Sequence, residues 1–205
     1  MKKLLVLFVF LLATELTVYA HSDEVKVGEG HLWKYNSLIK RQLKSEYVLN
    51  YDTENKQAYF IIEGGGLATF FVSAIKDEQR VKLLSYLDKY QDWNKKAMSE
   101  GVTLEKEIGS FNARGMWMVN KDMMNDSDGH DVSASFFSQN KSTHQFVLQF
   151  QKYTSSTNQF ETEQPDDLYF SYSQAKDFEK LLTDESIQVA IKKAAKGKKI
   201  TDEFK

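Results

Sequence analysis

Two stretches of this chain repeat a short pattern, a tryptophan followed three residues later by an asparagine. The first is HLWKYN at 31–36 and the second is GMWMVN at 115–120, and the two match at a spacing of 84 residues. Similar kinds of segment then follow both tryptophans in the same order. This shared order predicts an internal duplication, which restricts the chain to folds with two similar halves.

Each half continues with a β-hairpin pattern and then a further strand. Alternating apolar residues on both sides of a polar, Asp/Asn/Ser-rich spacer are typical of a hairpin. The predicted strands are 45–51, 57–63 and 67–75 in the first half, and 131–137, 144–150 and 167–173 in the second. With the strand around each tryptophan, this makes about four strands in each half.

A helical pattern closes each half. Apolar residues in 77–101 recur with a period near 3.6, and Gly101 is suited to end that helix. The counterpart is 174–197, where Thr183-Asp184 is predicted to break the helix and begin another. We therefore expect an α+β fold of two tandem sheet-plus-helix repeats, 21–101 and 102–205. A pseudo-twofold axis would relate them within one compact unit, with the helices on one face of an antiparallel sheet.

The first twenty residues have the pattern of a secretory signal peptide. Lys2 and Lys3 precede a ten-residue apolar run, and Val18-Tyr19-Ala20 fits the small-residue rule of a cleavage site. The run is shorter than the roughly 20 residues that a membrane-spanning helix needs. The pattern predicts cleavage after Ala20 and a mature bacterial protein that starts at His21, in the periplasm or outside the cell. No cysteine lies near the cut, so no lipid anchor is expected.

Composition narrows the classes of partner and chemistry. Loss of Lys2, Lys3 and Glu15 changes the formal net charge from −2 to about −3, which favours neither nucleic acid nor an anionic membrane surface. No later segment is apolar enough to span a membrane. The absence of cysteine excludes disulfides, thiol nucleophiles and zinc–thiolate sites. Nucleophile-elbow, HExxH, P-loop and dinucleotide-binding motifs are also absent, so we expect no enzyme and no cofactor.

Strand alternation assigns the residues around each tryptophan to faces. Trp117 shares a face with Phe111 and Ala113, and Trp33 shares one with Tyr35. We expect both tryptophans to be equivalent core residues between sheet and helix. Stacking on a ligand is the alternative, and it requires an exposed ring.

The expected function is that of a non-catalytic binding protein for a protein, peptide or small ligand. Loops 120–131 and 153–167 differ between the halves, and long loops on a sheet scaffold often carry function. The candidate ligand-binding residues are Trp33, Trp117, Asn158, Phe160 and Asp166.

A Met/His cluster suggests an alternative function in Cu(I) binding, because thioether and imidazole groups suit that ion. Its candidate ligands are Met116, Met118, Met123, Met124 and His130. A second alternative is an enzyme with an unrecognised site, which would need a carboxylate beside His130 or His144 in a pocket.

Overall fold

The computed structural model describes residues 24–36, 39–64, 68–119 and 123–203. The predicted signal peptide, its cleavage site after Ala20 and the mature N-terminal His21 lie outside these residues. The strands are β1 Glu24–Asn36, β2 Arg41–Asp52, β3 Gln57–Glu63, β4 Ala68–Lys76, β5 Glu105–Val119, β6 Met123–Asn140, β7 Thr143–Phe150, β8 Tyr153–Thr154, β9 Thr162–Glu163 and β10 Leu168–Ser171. The helices are α1 Asp77–Glu100, α2 Tyr172–Leu182 and α3 Asp184–Glu203.

Eight strands form one antiparallel sheet that closes on itself. Their order is β1-β10-β7-β6-β5-β4-β3-β2, and β8 and β9 form a separate two-stranded sheet. The contact that closes the barrel is short, with Trp33 opposite Tyr169 and Lys34 opposite Leu168. The predicted α+β class and large antiparallel sheet are confirmed, whereas closure into a barrel was not predicted.

Connections between strands alternate between the two ends of the barrel, because neighbouring strands run in opposite directions. At one end, which we call the helical end, lie the β2–β3 and β6–β7 turns and the junctions of β4 with α1 and of β10 with α2. At the opposite end, the loop end, lie the last residues of β1, β3, β5 and β7, the first residues of β2, β4, β6 and β10, and the connection 151–167. The helices and the longest loop therefore belong to opposite ends.

Helices α1 and α2 pack against the inner face of the sheet. Phe178 of α2 stacks on Phe170 with ring centroids 5.0 Å apart, and it also contacts the rings of Tyr47 and Phe60. Tyr90 of α1 contacts one phenylalanine on β6 and one on β7. Alternate strand residues and the helix side chains thus form one core. No helix in the described residues is both long and apolar enough to cross a membrane.

The helix boundaries follow from local capping. Gly101 adopts a left-handed conformation with φ of 61° and ends α1, as predicted. Ser171 and Gln174 form a capping box at the start of α2, each side chain bonded to the other's backbone N–H. The predicted break at 183 is confirmed, because Thr183 lies between α2 and α3 and its hydroxyl accepts a hydrogen bond from the Ser186 N–H.

A buried arginine joins the helices to one another. Arg80 of α1 is only 4% exposed. Its guanidinium donates to Asp77 at 2.9 Å, to the carbonyl of Leu182 at 2.6 Å and to Asp184 at 2.5 Å. These bonds fix the start of α1 against the junction between α2 and α3.

Strands β1 and β5 each contain a bulge that is followed by a glycine. The register shifts between Lys26 and Gly28 on β1 and between Glu107 and Gly109 on β5. A Cβ atom on Gly28 would lie 2.5 Å from Leu181 of α2, and one on Gly109 would lie 2.7 Å from the ring of Tyr86 on α1. A side chain at either position would force the helix side chain that packs there to shift, so the glycines mark where each helix side chain lies close to the strand.

The two tryptophans lie on different faces of the sheet. Trp117 is 2% exposed and belongs to the core. Leu32 is fully buried there, so its neighbour Trp33 faces outward and is half-buried. The prediction of equivalent core tryptophans is therefore wrong for Trp33. Two residues of the same type at a fixed spacing need not point to the same side of a sheet. An offset of one residue along a strand moves a side chain from the inner face to the outer face.

The predicted recognition loop at 120–131 is mostly a strand. Residues 123–131 belong to β6, which pairs with β5 along its length. Asp126 on this part faces outward in its ion pair with Arg114, whereas Asn125, Ser127 and His130 are buried. The prediction of a loop was wrong because a polar segment can form a strand when a neighbouring strand supplies its backbone hydrogen bonds.

Candidate functional site at the loop end

Tyr153 closes the core at the loop end of the barrel. It follows β7 directly, is fully buried and turns its ring inward. Its hydroxyl lies 3.1 Å from the Ser73 Oγ. Four rings surround it, with centroid distances of 4.1 Å to His130, 5.9 Å to Phe71, 5.9 Å to Trp117 and 6.5 Å to Phe150. Burial raises the pKa of Tyr153 well above its ordinary value, so the phenol is neutral.

Backbone hydrogen bonds hold the rest of the 151–167 loop. Tyr153 and Thr154 pair with Glu163 and Thr162 in the small β8–β9 sheet. The Ser156 N–H donates to the carbonyl of Asp126 on β6 at 2.7 Å, and the Gln164 side chain donates to the carbonyl of Phe150 at 2.8 Å. The loop is thus tied to the barrel at both of its ends and along its side.

A turn at the tip of this loop presents Phe160 to solvent. The Asn158 side chain accepts from the Phe160 N–H at 3.1 Å and donates to the Glu161 carboxylate at 3.0 Å. The Glu161 N–H returns a bond of 2.9 Å to the Asn158 carbonyl. Phe160 itself is 85% exposed. An aromatic ring therefore projects from a turn whose conformation is already fixed.

The base of the loop is acidic and is joined to β1 by one ion pair. Lys34 Nζ lies 3.7 Å from Asp166 and donates to the carbonyls of Glu63 and Gly64 at 2.8 and 3.2 Å. Burial raises the pKa of Asp167, and its hydrogen bond from Gln149 opposes that change. Glu161, Glu163, Asp166 and Asp167 outnumber Lys152, so the loop carries net negative charge.

The predicted ligand-binding residues divide into three groups. Asn158 and Phe160 are together in the exposed turn, and Asp166 lies at the base of the same loop. Trp117 is buried beneath Tyr153 and cannot stack on a ligand from solvent, so it supports the loop from below. Trp33 lies apart from them, on the outer face where β1 meets β10.

Of the five candidate copper ligands, the structure places Met116 and Met118 on the opposite face of the sheet from His130. Met116 and Met118 lie on the outer face of β5, whereas His130 is on the inner face against Tyr153. The sheet therefore separates the imidazole from these thioethers. Met123 and Met124 belong to β6, but their side chains lie outside the part of the chain that is described. Among the described residues, no group of three or more His, Asp or Glu side chains is placed to hold a metal ion.

The sequence pattern did not single out Tyr153, whose ring anchors the start of the loop in the core. Tyr153 and Phe160 are the two aromatic residues in an otherwise polar stretch. Large apolar side chains are rare in a polar loop, so these two residues could have been predicted to be either buried or used in binding. The sequence alone does not tell which of the two is buried.

No protein-family model, curated protein or solved structure matches this chain.

Proposed function

We propose that this chain is an exported, non-catalytic binding protein that recognises a protein or peptide partner through Phe160. The observation that carries the proposal is an aromatic side chain, 85% exposed, on a turn fixed by its own hydrogen bonds. An exposed ring on a rigid turn loses little conformational entropy on binding, so more of the contact energy contributes to affinity.

The charge of the loop defines the chemistry of the partner. Phe160 is flanked by an excess of carboxylates, Glu161 and Glu163 near the turn and Asp166 at its base. The partner surface that complements this loop is therefore an apolar pocket with lysine or arginine residues on its rim. Ion pairs between the loop carboxylates and such a rim increase the association rate more than the affinity, and added salt weakens these ion pairs.

Replacement of Phe160 with alanine tests this function. Central aromatic anchors of interfaces contribute about 2 kcal/mol or more, so the affinity is expected to fall roughly thirtyfold or further. The partner is first identified by native mass spectrometry of the protein taken from its own periplasm or culture medium. Affinity for the purified partner is then measured by calorimetry.

Val189→Ala is the matched control for this experiment. Val189 is 60% exposed on α3, away from the loop end, so its replacement should leave affinity unchanged. Equal affinities of Phe160→Ala and the unaltered protein would exclude Phe160 as the anchor.

The native mass spectra also report the mass of the mature chain. We expect the measured mass to be that of a chain whose first residue is His21, since the proposal of export depends on cleavage after Ala20.

We also propose that the fold is an internal duplication of a four-strand-plus-helix unit, corresponding to 21–101 and 102–205. Its support comes from positions other than the tryptophans. Both α1 and α2 bury their fourth, seventh and eleventh residues: Arg80, Leu83 and Leu87 in α1, and Ala175, Phe178 and Leu182 in α2. The tenth residue of each helix is the one that contacts a bulge glycine. Superposition of the halves is expected to align Gly28 with Gly109, and any other alignment would contradict the pseudo-twofold.

A further inference from the structure

Exposed apolar side chains come from two segments at the loop end of the barrel. One segment is the loop 151–167 with Phe160. The other is the tip of the β1–β2 hairpin, by which we mean Tyr35 near the end of β1 and residues 39–44, which begin β2. Tyr35 is 42% exposed, and Ile39 in this hairpin tip is 51% exposed. The remaining large apolar side chains that are exposed in the described part of the chain all lie on helices: Val81, Met98 and Val189.

The two segments carry opposite charge. Residues 39–44 contain Lys40, Arg41 and Lys44 and no acidic residue. All three basic side chains are exposed, and none of them forms an ion pair with another of the described residues. The loop 151–167 contains four carboxylates and one lysine. The formal charges of the hairpin tip and the loop are therefore equal and opposite.

The hairpin tip and the loop lie side by side. Lys34 of β1 places its Nζ 3.7 Å from a carboxylate oxygen of Asp166 at the base of the loop. The strand that follows the loop, β10, pairs directly with β1. A surface with such neighbouring basic and acidic halves is complementary to itself. When a second copy is turned by 180° about an axis between the halves, the loop of each copy faces the hairpin tip of the other.

The hairpin tip has the chemistry that Phe160 requires of a partner surface. Tyr35 and Ile39 supply apolar contact area, and the basic side chains surround them. The ring of Tyr35 can take the edge or the face of a second aromatic ring. Phe160 is 85% exposed, so it does not pack on the hairpin tip of its own chain. A second chain can supply that contact.

We propose that the partner of Phe160 is a second copy of this chain, in a symmetric dimer in which Phe160 of each copy packs on Tyr35 and Ile39 of the other. Glu161 and Glu163 of each loop then face the basic residues of the opposite hairpin tip. The dimer rests on the proposed function, because it supplies the partner of Phe160. Each contact occurs twice in such a dimer, so every substitution counts twice.

Sedimentation velocity of the purified protein, at concentrations up to the millimolar range, tests for the dimer. Phe160→Ala is expected to weaken dimerisation about thousandfold, since a roughly thirtyfold loss from one aromatic anchor is incurred twice. A dimer that Phe160→Ala leaves intact would overturn the proposal. A protein that stays monomeric would overturn it too. If that monomer bound a different protein through Phe160, the proposed function would stand without the dimer.

Two charge-reversal variants identify the contact itself. Lys40→Glu/Arg41→Glu makes the hairpin tip acidic, and Glu161→Lys/Glu163→Lys makes the loop basic. Each variant alone is expected to be monomeric, because like charges then face each other at both contacts. In a mixture of the two, opposite charges are restored at both contacts. We expect a heterodimer, which native mass spectrometry recognises because the two variants differ in mass.

The control for these variants is Lys192→Glu/Lys193→Glu. It makes the same change of charge as Lys40→Glu/Arg41→Glu, at exposed positions on α3 away from the loop end, and should leave the dimer intact. Circular dichroism checks that every variant is folded. Two folded charge-reversal variants that remain monomeric when mixed would show that the loop and the hairpin tip do not face each other.

Discussion

Replacing Tyr153 with alanine is expected to lower the free energy of unfolding by about 3–5 kcal/mol, the usual cost of removing a large aromatic side chain from a core. The side chain is fully buried among four rings, so little can move to fill the space. Typical domains have only about 5–15 kcal/mol of stability in total. The substitution also removes the only aromatic anchor of loop 151–167 that is buried in the core, so affinity for the proposed partner of Phe160 should fall with it.

Tyr153→Phe is the control that separates packing from hydrogen bonding. It keeps the ring contacts and loses only the bond to Ser73, at a cost of about 1 kcal/mol. Urea unfolding followed by fluorescence and circular dichroism measures both variants. If Tyr153→Ala proved as stable as Tyr153→Phe, the ring would not be the element that closes the loop end.

Replacing Phe178 with alanine is expected to destabilise the fold by a similar amount, about 3–5 kcal/mol. This ring lies between α2 and the inner face of the sheet, and it contacts Tyr47, Phe60 and Phe170. Because β1 also packs on α2, the loss should loosen the β1–β10 closure first. Hydrogen exchange of the β1 amides measures this local effect, and urea unfolding measures the global one.

Val81→Ala serves as the comparison for Phe178→Ala. Val81 is 58% exposed on α1, and alanine is the better helix former, so stability should change by less than about 0.5 kcal/mol. Equal stabilities of Phe178→Ala and Val81→Ala would show that α2 does not depend on its buried aromatic contact.

The elements themselves were largely predictable because their signals are local. The period of apolar residues in 77–101 predicts α1, and Gly101 predicts its end. The polar residues at 183–184 predict the interruption between α2 and α3. Alternation around 45–63 likewise predicts the β2–β3 hairpin, because each of these patterns depends on residues only a few positions apart.

The features that were missed depend on residues far apart in the chain. Whether Trp33 faces inward depends on which side of β1 the helices cover. Residues 123–131 form a strand because β5 is there to pair with them. The burial of Tyr153 depends on space left between β4, β5 and β6 at the end that the helices do not reach. No local pattern contains that information.

The two-pair contact between β1 and β10 has a consequence for biogenesis. Strand β1 pairs with β2 on one side. Its partner on the other side, β10, and the helices α2 and α3 that pack on it all come from residues 168–203. As the chain leaves the ribosome, β1 and β7 therefore remain open edges until β10 has been made. Open strand edges pair readily with other chains. A chaperone that covers these edges would need to remain bound until β10 has emerged, because the barrel closes only when β10 lies between β7 and β1.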